Sequence, residues 1–307
     1  MNSESNSVRI PCVRTPDESF RELPGFPFAP RYVEDLAGFE GLRVHYVDEG
    51  PSDGRPVWLC LHGQPTWSYL YRRMIPIFLA AGHRVVAPDL LGFGRSDKPV
   101  DAAVYSFDFH RSMLLAFITR LELQSIRLVC QDWGGILGLT LPPAMPSRFS
   151  HLVVMNTAIA TGTRPLGEGF LAWRKYVETR PDLNVAALMR RSVPHLTDAE
   201  ATAYSAPFPD ARYKAGVRRF PNLVPERPDQ PGADVSRAAE QWWKTEWSGR
   251  AFMAIGMQDP VMPPPVMEAL QRRIRGCAQP MRLEHAGHFV QEWGEAVATR
   301  ALEEFAE

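Results

Sequence analysis

A chain of 307 residues that is 45% hydrophobic holds enough apolar side chains for one large core, which excludes a disordered chain. Its 34 Lys and Arg stand against 35 Asp and Glu, a net charge of -1, so no global field gathers nucleic acid or an anionic membrane surface. A small, largely uncharged ligand suits that balance.

The N-terminal MNSESNSVRIP lacks a basic segment followed by an apolar stretch, and no run of roughly 18 apolar residues occurs, so a soluble, cytoplasmic protein is expected. Cys12, Cys60, Cys130 and Cys277 show no paired spacing, which points away from a zinc site or a disulfide framework. Cys60 and Cys130 fall inside apolar runs and read as small buried thiols.

Two early segments, RYVEDLAG and LRVHYVDEG, alternate with period two and end in turn residues, as an antiparallel entry hairpin does. Short apolar runs then alternate with helix-length segments: PVWLCLHG, HRVVAPDL, SIRLVCQDW, HLVVMNT and, much later, RAFMAIGMQD and MRLEHAGH. Runs apolar on both faces are what parallel strands covered by helices require, so the expected fold class is α/β. After Asn156 the rhythm stops for roughly 90 residues, far longer than a βα loop. Thr197 with Glu200 forms a capping-box pattern and FLAWRKYVE has helical spacing, so this insert reads as a helical cap over 157–239 on a core of 1–156 and 240–307. PNLVPERPDQPGAD reads as a connector back to the core.

At CQDWGG a strand runs directly into a glycine-rich helix start with Asp132 at the turn. Such a turn thrusts its side chain away from the sheet, the geometry of a nucleophile elbow, although a plain helix cap also uses an aspartate there. Cys130 stands at a position usually held by glycine. Asp259 ends the strand of RAFMAIGMQDPV, and His288 follows the last apolar strand in LEHAGHFVQEW. Asp132, Asp259 and His288, in that order at three strand ends, form a nucleophile, an orienting acid and a base. A turn in LHGQPTW can aim the Gln64 N–H at the elbow, where it makes an oxyanion hole with the N–H of Trp133. GFGRSDKP opens no helix and implies no nucleotide. His285 and His288 lack a third ligand, so no metal is expected. QWWKTEW reads as a helix packing its indoles, and RRIR as a solvated helix face.

HGQPTWSYLYR, VVAPDLLGFGRSDKP, VCQDWGG, APFPDARYKAGVRRFP, AIGMQDPV and AGHFVQE together closely resemble the haloalkane dehalogenases, over nearly the whole chain. The resemblance implies an α/β-hydrolase fold, with a mostly parallel sheet of about eight strands and an inserted helical cap. It also implies no cofactor, and hydrolysis of a carbon–halogen bond to alcohol, halide and proton. DWGG also occurs in epoxide hydrolases, which remain the alternative, with Tyr176, Tyr204 and Tyr213 as possible acids in the cap. HGQPTW and the late Asp259 resemble the dehalogenase branch whose acid follows the later strand; Asn156, ending the earlier strand, leaves the other acid position vacant. In the family two indoles bind the halide. Trp133 matches the first. For the second, Ser192 stands where one arrangement has tryptophan, and Trp173 matches the position used by other members; a tryptophan packed in the cap core is the competing reading. The expected partners are a small apolar halogenated substrate, water and the halide product, with the protein a monomer or weak homo-oligomer.

A carboxylate suits the elbow because displacement of halide at saturated carbon needs a nucleophile already ionised at neutral pH. In the expected mechanism Asp132 forms an alkyl ester and His288 activates water to hydrolyse it.

Overall fold

A computed structural model of the chain describes residues 10–306, so the reading of the extreme N-terminus lies almost wholly outside the described residues. Eight strands form one sheet: β1 Arg31–Val33, β2 Val44–Glu49, β3 Val57–Leu61, β4 Arg84–Pro88, β5 Ile126–Cys130, β6 Phe149–Met155, β7 Arg250–Gly256 and β8 Met281–Leu283. Their spatial order is β1, β2, β4, β3, β5, β6, β7, β8. β1 and β2 pair antiparallel as the entry hairpin, with Val33 opposite Val44, and β2 lies antiparallel to β4. From β4 to β8 every pair is parallel.

β3 and β5 are buried at every position and, apart from Arg127, whose guanidinium lies over Trp58, are apolar, as the middle of a sheet covered on both faces requires. Cys60 and Cys130 are fully buried and free in these strands, where burial pushes both thiols up. One face is sealed by Trp58, which stacks on Phe78 with centroids 3.9 Å apart. Such a pair contributes about 0.5–1.5 kcal/mol beyond its buried area. Parallel strands bring their carboxyl ends to one edge of the sheet, where the loops after β3, β5, β7 and β8 meet. Among the described residues no helix is long and apolar enough to cross a membrane.

The helix opened by the elbow is α1, Asp132–Gly138. The segment after β6 is helical: α2 Glu168–Glu178, α3 Val185–Ser192 and α4 Asp198–Ser205 precede short turns and then α5, Ala233–Thr245. The capping box of α4 is present, with Thr197 Oγ1 accepting from Glu200 N at 3.2 Å and Glu200 Oε2 accepting from Thr197 N at 2.9 Å.

The other Glu200 oxygen accepts from Arg72 at 3.0 Å and Arg73 at 2.8 Å, both from the core. Arg72 also forms a bidentate pair with Glu292 at 2.6 and 2.8 Å, and the Tyr204 hydroxyl of α4 donates to Glu292 as well. Buried charges are tolerable here because every one is multiply paired; removing one partner of such a pair costs roughly 3–5 kcal/mol. Trp67, from HGQPTW, adds an indole N–H to the Ala203 carbonyl at 3.2 Å.

α5 runs without a break through the junction expected between 239 and 240. Gly232 precedes it in the left-handed region, at φ 84°, where a residue with a Cβ is strained. In α5 Trp243 is buried, its N–H donating to the Leu139 carbonyl at 2.7 Å. The indoles of QWWKTEW pack as expected, Trp243 against Trp247 at 4.7 Å. RRIR lies just past the helix Pro264–Gln271, with Ile274 buried and Arg273 paired to Glu240 at 2.6 Å, so only part of it is a solvated face.

Candidate active site

β5 ends at Cys130 and α1 begins two residues later, so the chain reverses within Gln131 and Asp132. Asp132 takes up the turn at φ 49°, a conformation that costs a non-glycine residue about 1–3 kcal/mol. Hydrogen bonds hold it there: its N–H donates to the Asn156 carbonyl at 3.0 Å, and its carbonyl accepts from Thr157 Oγ1 at 2.7 Å. The helix lies so close to the sheet that a Cβ on Gly134 would run into the Leu61 carbonyl and one on Gly135 into the Thr157 side chain. These contacts explain both glycines.

The three residues read as a triad come together. Asp132 Oδ1 accepts the Gln64 N–H at 2.7 Å, while Oδ2 lies 3.4 Å from His288 Nε2. His288 Nδ1 is 2.7 Å from Asp259 Oδ2. The second Asp259 oxygen accepts the Val261 N–H at 2.7 Å. Burial works against a charged imidazole, but the charge of Asp259 and hydrogen bonds to Asp132 and Asp259 outweigh it, so His288 is raised to about 10. Burial likewise opposes the Asp259 carboxylate, yet the facing imidazolium and its hydrogen bonds hold it below the usual range. His288 therefore rests as an imidazolium against the Asp259 carboxylate. Gln64 is pinned by its side chain, which donates to the Val217 carbonyl at 2.9 Å. Trp133 is the second residue of α1, so its N–H has no partner within the helix.

Asn156 had been read only as a vacant acid position, and its role went unseen. Its Nδ2 donates to Asp259 Oδ2 at 2.9 Å and to the carbonyls of Gly256 and Met262, while its Oδ1 accepts the Gly256 N–H at 2.8 Å. With its own carbonyl on the Asp132 N–H, one residue braces the Asp259 carboxylate and the Asp132 backbone. The signal was a lone Asn ending an apolar strand, which must find partners once buried. Gln131 was missed too; its Nε2 donates to the His288 carbonyl at 3.0 Å.

A cavity of about 520 Å³ opens over Asp132 and His288, within the range of small-molecule sites. Gln64, Trp173, Tyr176, Leu188, Arg191 and Ser192 are among its lining residues. Trp133 is not; it is 2% exposed and meets Phe220 edge-on at 4.8 Å. Among the described residues, neither Trp133 nor Trp173 commits its indole N–H to a protein acceptor, whereas Trp67 and Trp243 do. Of the three cap tyrosines only Tyr176 lines the cavity, since Tyr204 is buried with its hydroxyl on Glu292 and Tyr213 lies elsewhere.

The alpha/beta hydrolase fold model matches residues 56–295, most of the chain, and the protein is an α/β-hydrolase. A haloalkane dehalogenase of Psychrobacter cryohalolentis is 44% identical over 293 residues, covering 93% of this chain and 95% of its own. One from Mycobacterium marinum is 42% identical, covering 91% and 94%. A solved structure described as the tetrameric haloalkane dehalogenase DpaA of Paraglaciecola agarilytica superposes with a TM-score of 0.95 at 52% identity, over 97% of this chain and 99% of that one. Within the α/β-hydrolases, then, the chain belongs to the haloalkane dehalogenases, and the epoxide hydrolase alternative is not favoured.

Proposed function

We propose that the protein hydrolyses haloalkanes to alcohol, halide and proton through an ester on Asp132. The observation that carries this reading is the Asp132 carboxylate at the elbow, 3.4 Å from His288 and facing the cavity. Asp132 attacks the halogen-bearing carbon from behind; a carbon–oxygen bond forms as the carbon–halogen bond breaks, and the electron pair leaves with the halide. Esterification removes the Asp132 charge that helps hold the proton on His288, so the imidazole releases it to solvent. Neutral His288, kept in one tautomer by Asp259, then takes a proton from water as the hydroxide attacks the ester carbonyl. The N–H groups of Gln64 and Trp133 stabilise the oxyanion, Gln64 being already 2.7 Å from an Asp132 oxygen. Attack at the carbonyl regenerates the carboxylate and frees the alcohol.

The leaving halide needs donors inside a dry pocket, and we assign this to the indole N–H groups of Trp133 and Trp173. Their N–H groups have no protein acceptor, which a halide donor requires, although Trp58 and Trp247 share that property away from the cavity. Trp173 also lines the cavity, which supports it over a packing role. Residues 157–232 form the cap in this reading, seven residues shorter at its end than the sequence expectation of 157–239. Light scattering on the purified protein separates the expected monomer or weak homo-oligomer from a tetramer such as that described for DpaA.

The decisive experiment follows bromide from 1,2-dibromoethane and 1-bromobutane, with styrene oxide run in parallel. Bromide release from wild type, abolished by Asp132→Ala, is expected; release that survives the substitution, or diol formed from styrene oxide without bromide release, refutes the reading.

A further inference from the structure

Tyr176 stacks on Trp173 with centroids 6.0 Å apart and 22° between their planes. Arg191, in the last turn of α3, places its guanidinium 4.8 Å from the Tyr176 ring centre and lines the same cavity as Asp132. Its neighbour Arg190 pairs with Asp198 at 2.7 Å. Among the described residues, Arg191 has no carboxylate within ion-pair distance. Among the described residues Asp132 is the sole carboxylate on the cavity wall, and His288 faces it. Outside the triad, Arg191 is the one arginine or lysine of that wall among the described residues.

The lining differs in exposure. Asp132 is 9% exposed, whereas Arg191 is exposed to solvent. Resting against an aromatic ring orients a guanidinium while its N–H edge stays free for a carboxylate, which it can grip through two parallel bonds. A second guanidinium, Arg180, lies 3.9 Å from the Tyr176 ring centre, so positive charge concentrates around this ring.

We propose that Arg191 recognises an anionic far end on the substrate, so that the enzyme also takes haloalkanes carrying a terminal carboxylate, with the halogen at Asp132. The inference rests on the reaction assigned above and adds a substrate class to it. For 6-bromohexanoate the carbon–bromine bond breaks as the ester to Asp132 forms, and water then releases 6-hydroxyhexanoate. The products are bromide, one proton and the hydroxy acid, so atoms and charge balance without a further reactant.

The test compares kcat/KM for 6-bromohexanoate with that for 1-bromohexane in wild type, Arg191→Met and Arg191→Lys. Methionine keeps an apolar contact with the ring and removes the charge. The ratio of the two values is expected to fall about 5–10-fold in Arg191→Met, to be largely restored in Arg191→Lys, and to fall in wild type as salt rises from about 0.02 to 0.5 M. A ratio unchanged by Arg191→Met and by salt overturns the proposal, as does wild-type enzyme that hydrolyses 1-bromohexane and leaves 6-bromohexanoate intact. If neither compound yields bromide, the assigned reaction fails instead.

Discussion

Asp132 and Trp173 face the same cavity and are held in different ways. Asp132, like Asp259, is buried at a strand end, and its backbone and carboxylate are tied to Asn156, Thr157, Gln64 and His288 at 2.7–3.4 Å. Trp173 is half-buried on α2, packed against the core and stacked on Tyr176, with no directional bond from its indole N–H. Directional bonds from a rigid sheet fix atoms to the tolerance that displacement and proton transfer demand. Ring contacts fix a surface more loosely, which is sufficient for shaping a pocket. The core side thus sets the chemistry, and the cap side sets what enters.

The strongest way to break that division is His288→Gln. Turnover is expected to fall on the order of 10³-fold or more, because ester formation proceeds while hydrolysis loses its base. Mass spectrometry after exposure to 1-bromobutane then finds one alkyl group per protein; unmodified protein contradicts the division of labour between Asp132 and His288. The same variant tests the charge state. His288 is raised from 6.5 to about 10, so the stability it lends is complete below about 6.5 and is lost as pH rises through 10. Between pH 7 and 10 the Tm of wild type should drop more than that of His288→Gln.

Asn156→Ala sharpens the comparison within the core. It keeps all three triad residues and removes the brace on Asp259, so kcat is expected to fall roughly 10–100-fold with KM little changed. A loss confined to KM would assign Asn156 to the cavity wall. The smallest effect belongs to the cap: Trp173→Phe should weaken halide binding about 2–5-fold, the scale of one hydrogen bond, as read by halide quenching of tryptophan fluorescence. Unchanged halide affinity would leave Trp173 as packing alone and shift the second donor elsewhere.

Much of this was legible from the chain. The strands announced themselves because a parallel strand buried on both faces must be largely apolar, as VWLCL is throughout and IRLVC is apart from Arg127, whose guanidinium lies over Trp58. The proximity of Asp132, Asp259 and His288 could be expected because each follows a strand, β5, β7 or β8, whose carboxyl end lies at one edge of the sheet. The expected junction between 239 and 240 falls inside α5 because that helix has one helical pattern throughout, and local spacing says nothing of the bond from Trp243 to the Leu139 carbonyl. Asn156 escaped notice because its importance lies in partners about 100 residues away on β7 and the loop beyond it.

By itself the sequence determined the alternation of strands and helices, the elbow and the chain order of Asp132, Asp259 and His288, because these follow from local pattern and chain direction. Tertiary structure alone decided which polar groups pair across the sheet, which indole reaches the cavity, and that Arg191 keeps its charge unpaired beside Tyr176. Those outcomes depend on distances between segments far apart in the chain, which no local spacing encodes.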